Sequence, residues 1–270
     1  MTLRNFDALP IVTLEALTSG VATLVLAPHP DDESLGCGGL IAEACATGRP
    51  PVVVVLSDGT GSHPRSLSYP PERLSLLRER EATQASAILG LPPDRLHFLH
   101  LRDTALPRSG PEFDDALCAI RKIIRRYSCG VVAAPWRRDP HCDHEAAAAM
   151  GRALAASERL RLLSYPVWGW TLPQVAGPAA EGCMGWRLDI VQWLPAKRRA
   201  IAAHASQHGR VITDDPGGFR LPPELLEACD RPYEVFLQAR DDRRWNAGSH
   251  RTRSMRPARR RSLSRAPTNP

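Results

Sequence analysis

Apolar residues along the first 160 positions follow two alternating rhythms. Val21–Ala27, Val52–Leu56 and Val131–Ala134 are short continuous apolar runs, the pattern of strands buried on both faces. Arg95–Leu101 reads as a further strand. Between these runs, Leu35–Thr47, Glu72–Leu89, Glu112–Tyr127 and Asp143–Ser157 have helical spacing, and the first two stop at Gly48 and Gly90. Strand alternating with helix predicts an α/β fold: a doubly wound, mostly parallel sheet with helices on both faces. The pattern is less regular later. Arg161–Val167, Trp186–Val191 and Tyr233–Gln238 read as strands, and Pro195–Ser206 reads as a helix.

Composition divides the chain into a domain over residues 1–240 and a tail over 241–270. The tail is rich in Arg, Ser and Pro and poor in aliphatic residues, so it reads as disordered. Its nine Arg against two Asp account for the formal charge of +6, leaving residues 1–240 at −1. The domain shows no basic stripe with interleaved aromatics, and nucleic acid is not the expected partner. No run approaches the roughly 20 apolar residues that span a bilayer. Met1–Leu9 carries Arg4 and Asp7 without an apolar core, so it does not read as a signal peptide, and a cytoplasmic location is expected. Seven cysteines, an odd number with no C-x-x-C pair, predict reduced thiols in place of a disulfide framework or an all-cysteine zinc site.

The polar residues then change the picture. His29, Asp31 and Asp32 follow the first strand, Asp58 the second, Arg102 and Asp103 the third, and Trp136 to His144 the fourth. All fall at carboxyl ends of strands, the edge where open α/β sheets bind ligands. A histidine with three consecutive acids, His29-Pro30-Asp31-Asp32-Glu33, crowds negative charge into one small volume, and a cation relieves that repulsion. His29 and Asp32 offer a nitrogen and an oxygen three residues apart, and His141-Cys142-Asp143-His144 offers two more imidazoles at a helix start. Three protein ligands with one open position is the arrangement of catalytic zinc. Asp31, beside a ligand, is then the natural base for a water acidified by the metal. Either segment alone would read as a turn or a helix cap; two on neighbouring strand ends point to chemistry.

Ala27-Pro28-His29-Pro30-Asp31-Asp32-Glu33, followed by Gly36 and Gly38-Gly39, resembles the first motif of the LmbE-like (PIG-L) deacetylases, and His141-Cys142-Asp143-His144 resembles the second. The resemblance runs from about residue 20 to about 240 and takes in Arg78-Glu79-Arg80-Glu81 and His204-Ala205-Ser206-Gln207. It implies a Rossmann-like domain and a zinc-dependent hydrolase that removes the N-acetyl group from an N-acetylglucosamine-type conjugate. In that reading His29, Asp32 and His144 hold the metal (Zn²⁺, with Fe²⁺ or Mn²⁺ as substitutes), and Asp31 is the base. His141, expected as the protonated form, stabilises the oxyanion, while Arg78 and Asp103 contact sugar hydroxyls. The small-molecule partner's aglycone is left open, as is the oligomeric state.

Tyr165, Trp168 and Trp170 are candidates for stacking on a sugar or for the core, and Ser62, His63 and Arg65 sit in a loop that reaches the same rim. Three rival readings remain at this stage. The same ligands suit an amidase acting on another amide, or a non-haem iron oxygenase, although the latter usually sits on a β-rich barrel. A magnesium-binding phosphoryl-transfer module would leave the three histidines without a role.

Overall fold

Valine and leucine crowd the central strands because both faces of each strand are covered. In β2 (Ala22–Ala27), Leu24 and Leu26 enter the core on one side of the sheet while Val25 and Ala27 enter the core on the other. Strands β3 (Val52–Ser57) and β5 (Cys129–Pro135) repeat this division. The structure, a computed structural model, describes residues 6–172 and 183–239. Within them lie five further strands: β1 (Ile11–Val12), β4 (Leu96–Leu101), β6 (Arg161–Tyr165), β7 (Cys183–Asp189) and β8 (Tyr233–Ala239). The eight form one sheet in the order β1-β7-β8-β6-β5-β2-β3-β4. Every neighbouring pair is parallel except the two made by β8, which runs against β6 and β7.

Helices α1 (Leu14–Thr18), α2 (Asp32–Ala46), α3 (Pro71–Ile88), α6 (Leu194–Ala203) and α7 (Pro223–Cys229) pack into the core on one face. Helices α4 (Pro111–Tyr127) and α5 (Cys142–Glu158) cover the other. The protein is therefore an α/β fold of the Rossmann-like kind, as the alternating pattern predicts. The short β1, α1 and α7 were not anticipated, since none is long enough to show a period. The Arg-rich segment 241–270 and its expected disorder lie outside the described residues.

Strand order reverses at β2: β3 and β4 lie on one side of it, β5 and β6 on the other. That reversal opens a crevice beyond the carboxyl ends of β2 and β5. Helix α2 leaves β2 at this point and lies close against its neighbours. A Cβ at Gly36 would stand 2.3 Å from the Tyr165 ring, and one at Gly39 would stand 2.3 Å from Ile190 Cγ2. The glycines after the acidic triplet are thus the residues that let α2 approach. Glu234 of β8 reaches into the middle of α2, accepting hydrogen bonds from the Gly39 and Leu40 amides at 2.7 and 2.9 Å and from Lys197 Nζ at 2.7 Å.

Candidate metal and catalytic site

The three acids after His29 acquire three separate sets of partners. The Asp31 carboxylate accepts from Arg78 Nη2 at 3.0 Å. Asp32 Oδ2 faces His29 Nδ1 at 3.0 Å and His144 Nε2 at 3.3 Å. Glu33 accepts from Ser34 Oγ at 2.7 Å and from the Asp31 backbone amide at 3.0 Å, and lies 3.1 Å from His204 Nε2. All three acids are buried. Asp31 caps α2 with φ 154° and ψ −28°, a region that non-glycine residues rarely occupy. Such a conformation costs on the order of 1–3 kcal/mol and persists where the surroundings over-determine it; here Arg78 grips the side chain and Glu33 the amide.

Both metal-site imidazoles have one nitrogen fixed by a carboxylate. His29 Nε2 lies 3.2 Å from Asp143 Oδ2 and 3.2 Å from Asp103 Oδ1. His144 Nδ1 lies 2.9 Å from Asp139 Oδ2. Each ring meets the Asp32 carboxylate at its other nitrogen, so with a cation beside Asp32 the hydrogens would sit on Nε2 of His29 and Nδ1 of His144. The remaining nitrogens, His29 Nδ1 and His144 Nε2, present lone pairs to the same oxygen of Asp32. The His144 Nε2 atom is buried and makes no hydrogen bond among the described residues. Each of these lone pairs faces Asp32 Oδ2, at 3.0 and 3.3 Å, and repels it unless a cation or a proton lies between. With zinc–ligand bonds of about 2.0–2.2 Å, tetrahedral ligand atoms stand roughly 3.3–3.6 Å apart, so both nitrogen–oxygen separations are close to those of ligands that share a metal. His29, His141 and His144 each offer a ligand atom within 4.8 Å of the other two, which brings His141 close to both imidazoles.

Without a metal, the charges balance by proton sharing. Burial would raise the Asp32 carboxyl, but His144 and His29 hold it well below the carboxylate range. Burial would lower His144, yet Asp32 and Asp139 carry it up to about 9. His29 is likewise raised well above the usual imidazole value, because Asp103, Asp143 and Asp32 outweigh its burial. Asp31 differs: burial pushes it up to about 6, with Arg78 opposing the rise. His141 is held below the ordinary imidazole value by burial and then by His29 and His144.

His141 caps α5, its Nδ1 accepting from the Asp143 amide at 3.2 Å. The neutral ring therefore carries its hydrogen on Nε2. Burial, and then His29 and His144, oppose the protonated form expected from the sequence. Asp143 accepts from the Thr104 and Leu106 amides at 2.7 and 3.1 Å, which fastens the start of α5 to the loop after β4.

These groups open into a cavity of about 350 Å³. Its polar wall includes His29, Asp31, Asp32, Arg78, Asp103 and His141, so six of the seven residues singled out in the sequence line it; His144 lies fully buried behind. Arg78 directs its Nη groups to the Gly59 and Pro30 carbonyls and to Asp31. Asp103 accepts from the Gly61 and Thr104 amides at 2.8 Å each. The opposite wall is apolar, formed by Leu35, Trp168, Phe219 and Leu221. Of the three candidate aromatics only Trp168 lines the cavity, in edge contact with Phe219. Tyr165 donates to the Leu26 carbonyl at 2.6 Å and Trp170 packs on Phe6, both in the core. Ser62 reaches the rim, whereas His63 is buried against Gly218.

Sequence reasoning missed Asp139, Phe219 and Leu221, and gave no role to Gln207 although the resemblance takes it in. Asp139 follows two arginines and precedes a proline, which reads as a turn; Phe219 and Leu221 come from a region without clear period.

The chain is similar to known proteins. The chain is 29% identical over 199 residues to the probable N-acetyl-alpha-D-glucosaminyl L-malate deacetylase 2 of Bacillus anthracis, covering 71% of this chain and 83% of that protein. It is 32% identical over 196 residues to the diacetylchitobiose deacetylase of Thermococcus kodakarensis, covering 68% and 69% respectively. Among solved structures, the conserved protein TT1542 from Thermus thermophilus superposes with a TM-score of 0.56 at 28% identity, covering 77% of this chain and 84% of that one. The family described as PIG-L: GlcNAc-PI de-N-acetylase matches residues 24–155, a span that holds both histidine motifs, and with the diacetylchitobiose deacetylase match the chain belongs to that family.

Proposed function

We propose that this protein is a metal-dependent hydrolase that removes the acetyl group from an N-acetylglucosamine-type conjugate. The observation that carries the reading is the convergence of His29 Nδ1 and His144 Nε2 on Asp32 Oδ2, beside Asp31, in a cavity with one polar and one apolar wall. The relatives named as deacetylases of N-acetylglucosaminyl malate and of diacetylchitobiose supply the substrate class. His29, Asp32 and His144 would hold the metal, with zinc as first choice. A divalent metal, when bound, supplies the Lewis acidity that activates water and polarises an amide carbonyl.

The chain's own residues do the rest. Arg78 holds the Asp31 carboxylate in place by the 3.0 Å contact, so that Asp31 takes the proton of the attacking water. His141 donates its Nε2 hydrogen to the carbonyl oxygen as that atom gains charge, and burial of the site makes a fixed donor effective. The proton held by Asp31 is then available to the leaving nitrogen. Trp168 and Phe219 offer an apolar face to a sugar ring. The iron oxygenase reading is less favoured, since the sheet is open and mostly parallel and no β-rich barrel is formed among the described residues.

The test measures bound metal and acetate release over a panel of N-acetylglucosamine conjugates, for the wild type and for Asp31→Ala. Expected are about one divalent metal per chain, acetate release by the wild type, and a variant that keeps its metal while turnover drops by at least ~100-fold. A protein that binds metal but cleaves no member of the panel would overturn the deacetylase assignment; one purified without chelator that holds no metal would overturn the site.

A further inference from the structure

Asp31 stands at the N-cap of α2, yet its carboxylate makes no capping bond. An N-cap aspartate ordinarily turns its side chain back to the amides of the first helical turn; this one turns away to Arg78 Nη2. Glu33 supplies a bond in the reverse sense, reaching back from the first turn to accept from the Asp31 amide at 3.0 Å through Oε2. That bond grips the backbone at the residue whose φ is 154°. The other oxygen of Glu33 is held by two groups, the Ser34 hydroxyl at 2.7 Å and His204 Nε2 at 3.1 Å. Ser34 gives its hydrogen to Glu33, so His204 Nε2, which lies 3.4 Å from the serine oxygen as well, is the donor at this junction. His204 ends α6 and precedes the 3₁₀ turn Ala205–His208, so the junction ties the end of α6 to the start of α2. Glu33 and His204 are fully buried, and neither lines the cavity. His204 Nδ1 is buried without a hydrogen-bond partner among the described residues, which leaves Nε2 as the ring's polar anchor. A half-paired buried imidazole is costly, and what this one secures is the carboxylate behind Asp31.

We propose that Glu33 and His204 are positioning residues for Asp31: His204 fixes the Glu33 carboxylate, and Glu33 holds the Asp31 backbone in a conformation it would otherwise leave. The proposal deepens the hydrolase reading and rests on it for the role of Asp31 as base. Arg78 grips the Asp31 side chain, but a relaxed backbone would send that side chain off in another direction. A displacement of about 1 Å is enough to cost about 100-fold in rate. Stored strain also has a signature that needs no turnover. Glycine lacks the Cβ that makes such a φ unfavourable, so Asp31→Gly should melt about 2–4 °C above Asp31→Ala, although glycine ordinarily lowers stability. That gap should close once residue 204 no longer holds Glu33 in place.

The experiment compares His204→Gln, whose amide nitrogen reaches the place of Nε2, with His204→Asn, whose amide stops at the place of Nδ1. Each is made with Asp31 intact, with Asp31→Ala and with Asp31→Gly. Acetate release from a panel of N-acetylglucosamine conjugates is measured on zinc-loaded protein, and thermal melts are recorded for all. With Asp31 intact, His204→Asn should lower kcat about 10- to 100-fold at a KM within about twofold, and His204→Gln should recover most of the loss. In the Asp31→Ala protein, His204→Asn should lower the residual rate no further, because a residue that acts through Asp31 has nothing left to position. The melting gap between Asp31→Gly and Asp31→Ala should persist with His204→Gln and close with His204→Asn. Equal rates in His204→Asn and His204→Gln overturn the role of the donor. A raised KM at unchanged kcat, or losses that multiply in the double variant, overturns action through Asp31. Should His204→Asn not fold, Glu33→Ala takes its place in every comparison, with Glu33→Gln as its rescue, since a glutamine carbonyl still accepts from the Asp31 amide. A wild type that releases no acetate sinks the hydrolase reading, and the melts then decide the inference alone. Acetate release without a melting gap overturns the inference and leaves the hydrolase reading standing.

Discussion

A histidine holds a metal through a ring nitrogen that carries no hydrogen, so the group that binds the other nitrogen decides which one is free. For His144 that group is Asp139, whose second duty is to accept from the Val167, Trp168 and Gly169 amides at 2.9, 3.1 and 2.6 Å. One buried carboxylate therefore sets both the tautomer of a proposed ligand and the position of the Trp168 turn. Removing its charge with Asp139→Asn should weaken metal affinity by about 10- to 100-fold, the usual effect of altering a carboxylate behind a metal-bound histidine. Competition against a chromogenic chelator measures it, and unaltered affinity would refute His144 as a ligand. The candidate site was legible in the sequence where its residues are close neighbours, as His29 with Asp32 and His141 with His144. Asp139 was not, because its role comes from amides nearly thirty residues later, brought to it by the pairing of β5 with β6. What opposes a charge on His141 was hidden for a similar reason: its burial, and the nearness of His29 and His144, arise only in the fold.

Among the elements, the long ones were read from their period, while β1, α1 and α7, at 2, 5 and 7 residues, were too short to show one. The least expected feature lies within elements that were anticipated. Glu234 lies in the strand read over 233–238, where nothing marked it out, and it is buried between α2 and α6 with Lys197. Burial alone would lower the Lys197 pKa, but Glu234 raises it above the usual lysine value. The sign of this linkage is that of a group raised on folding. Its contribution is complete below the ordinary lysine value of about 10.4 and is lost as pH climbs through the higher folded one. Glu234→Gln strands a buried ammonium and disturbs two amides of the helix that carries Asp31 and Asp32, for a cost of about 3–5 kcal/mol. At about 2–4 °C per kcal/mol for a domain of this size, melting should fall by about 6–20 °C. Lys197→Met should cost less, since Glu234 keeps its two amide donors. A melt of Glu234→Gln that matches the wild type would mean that the pair does not hold α2 in place.

For the molecule as a whole, the question is whether the rim needs a metal in order to form. The carboxyl ends of β2, β4 and β5 are already joined by contacts among the site's own charges: His29 with Asp103 and Asp143, His144 with Asp139, and Asp143 with the loop amides beyond β4. On these contacts the donors are expected to assemble without an ion, unlike small domains that are unfolded without zinc. Protein stripped with chelator should keep its helical circular dichroism and lose only its activity. Because the ion binds the folded rim far better than the unfolded chain, it should still stabilise the protein by about 2.7 kcal/mol at a hundred times its Kd. That corresponds to a rise of about 5–10 °C in Tm, growing with the logarithm of free metal and absent in His29→Ala and His144→Ala. Loss of secondary structure on chelation would show that the rim is not preformed. A Tm indifferent to metal in the wild type would show that the three donors do not form a site, whatever the deacetylase assay reports.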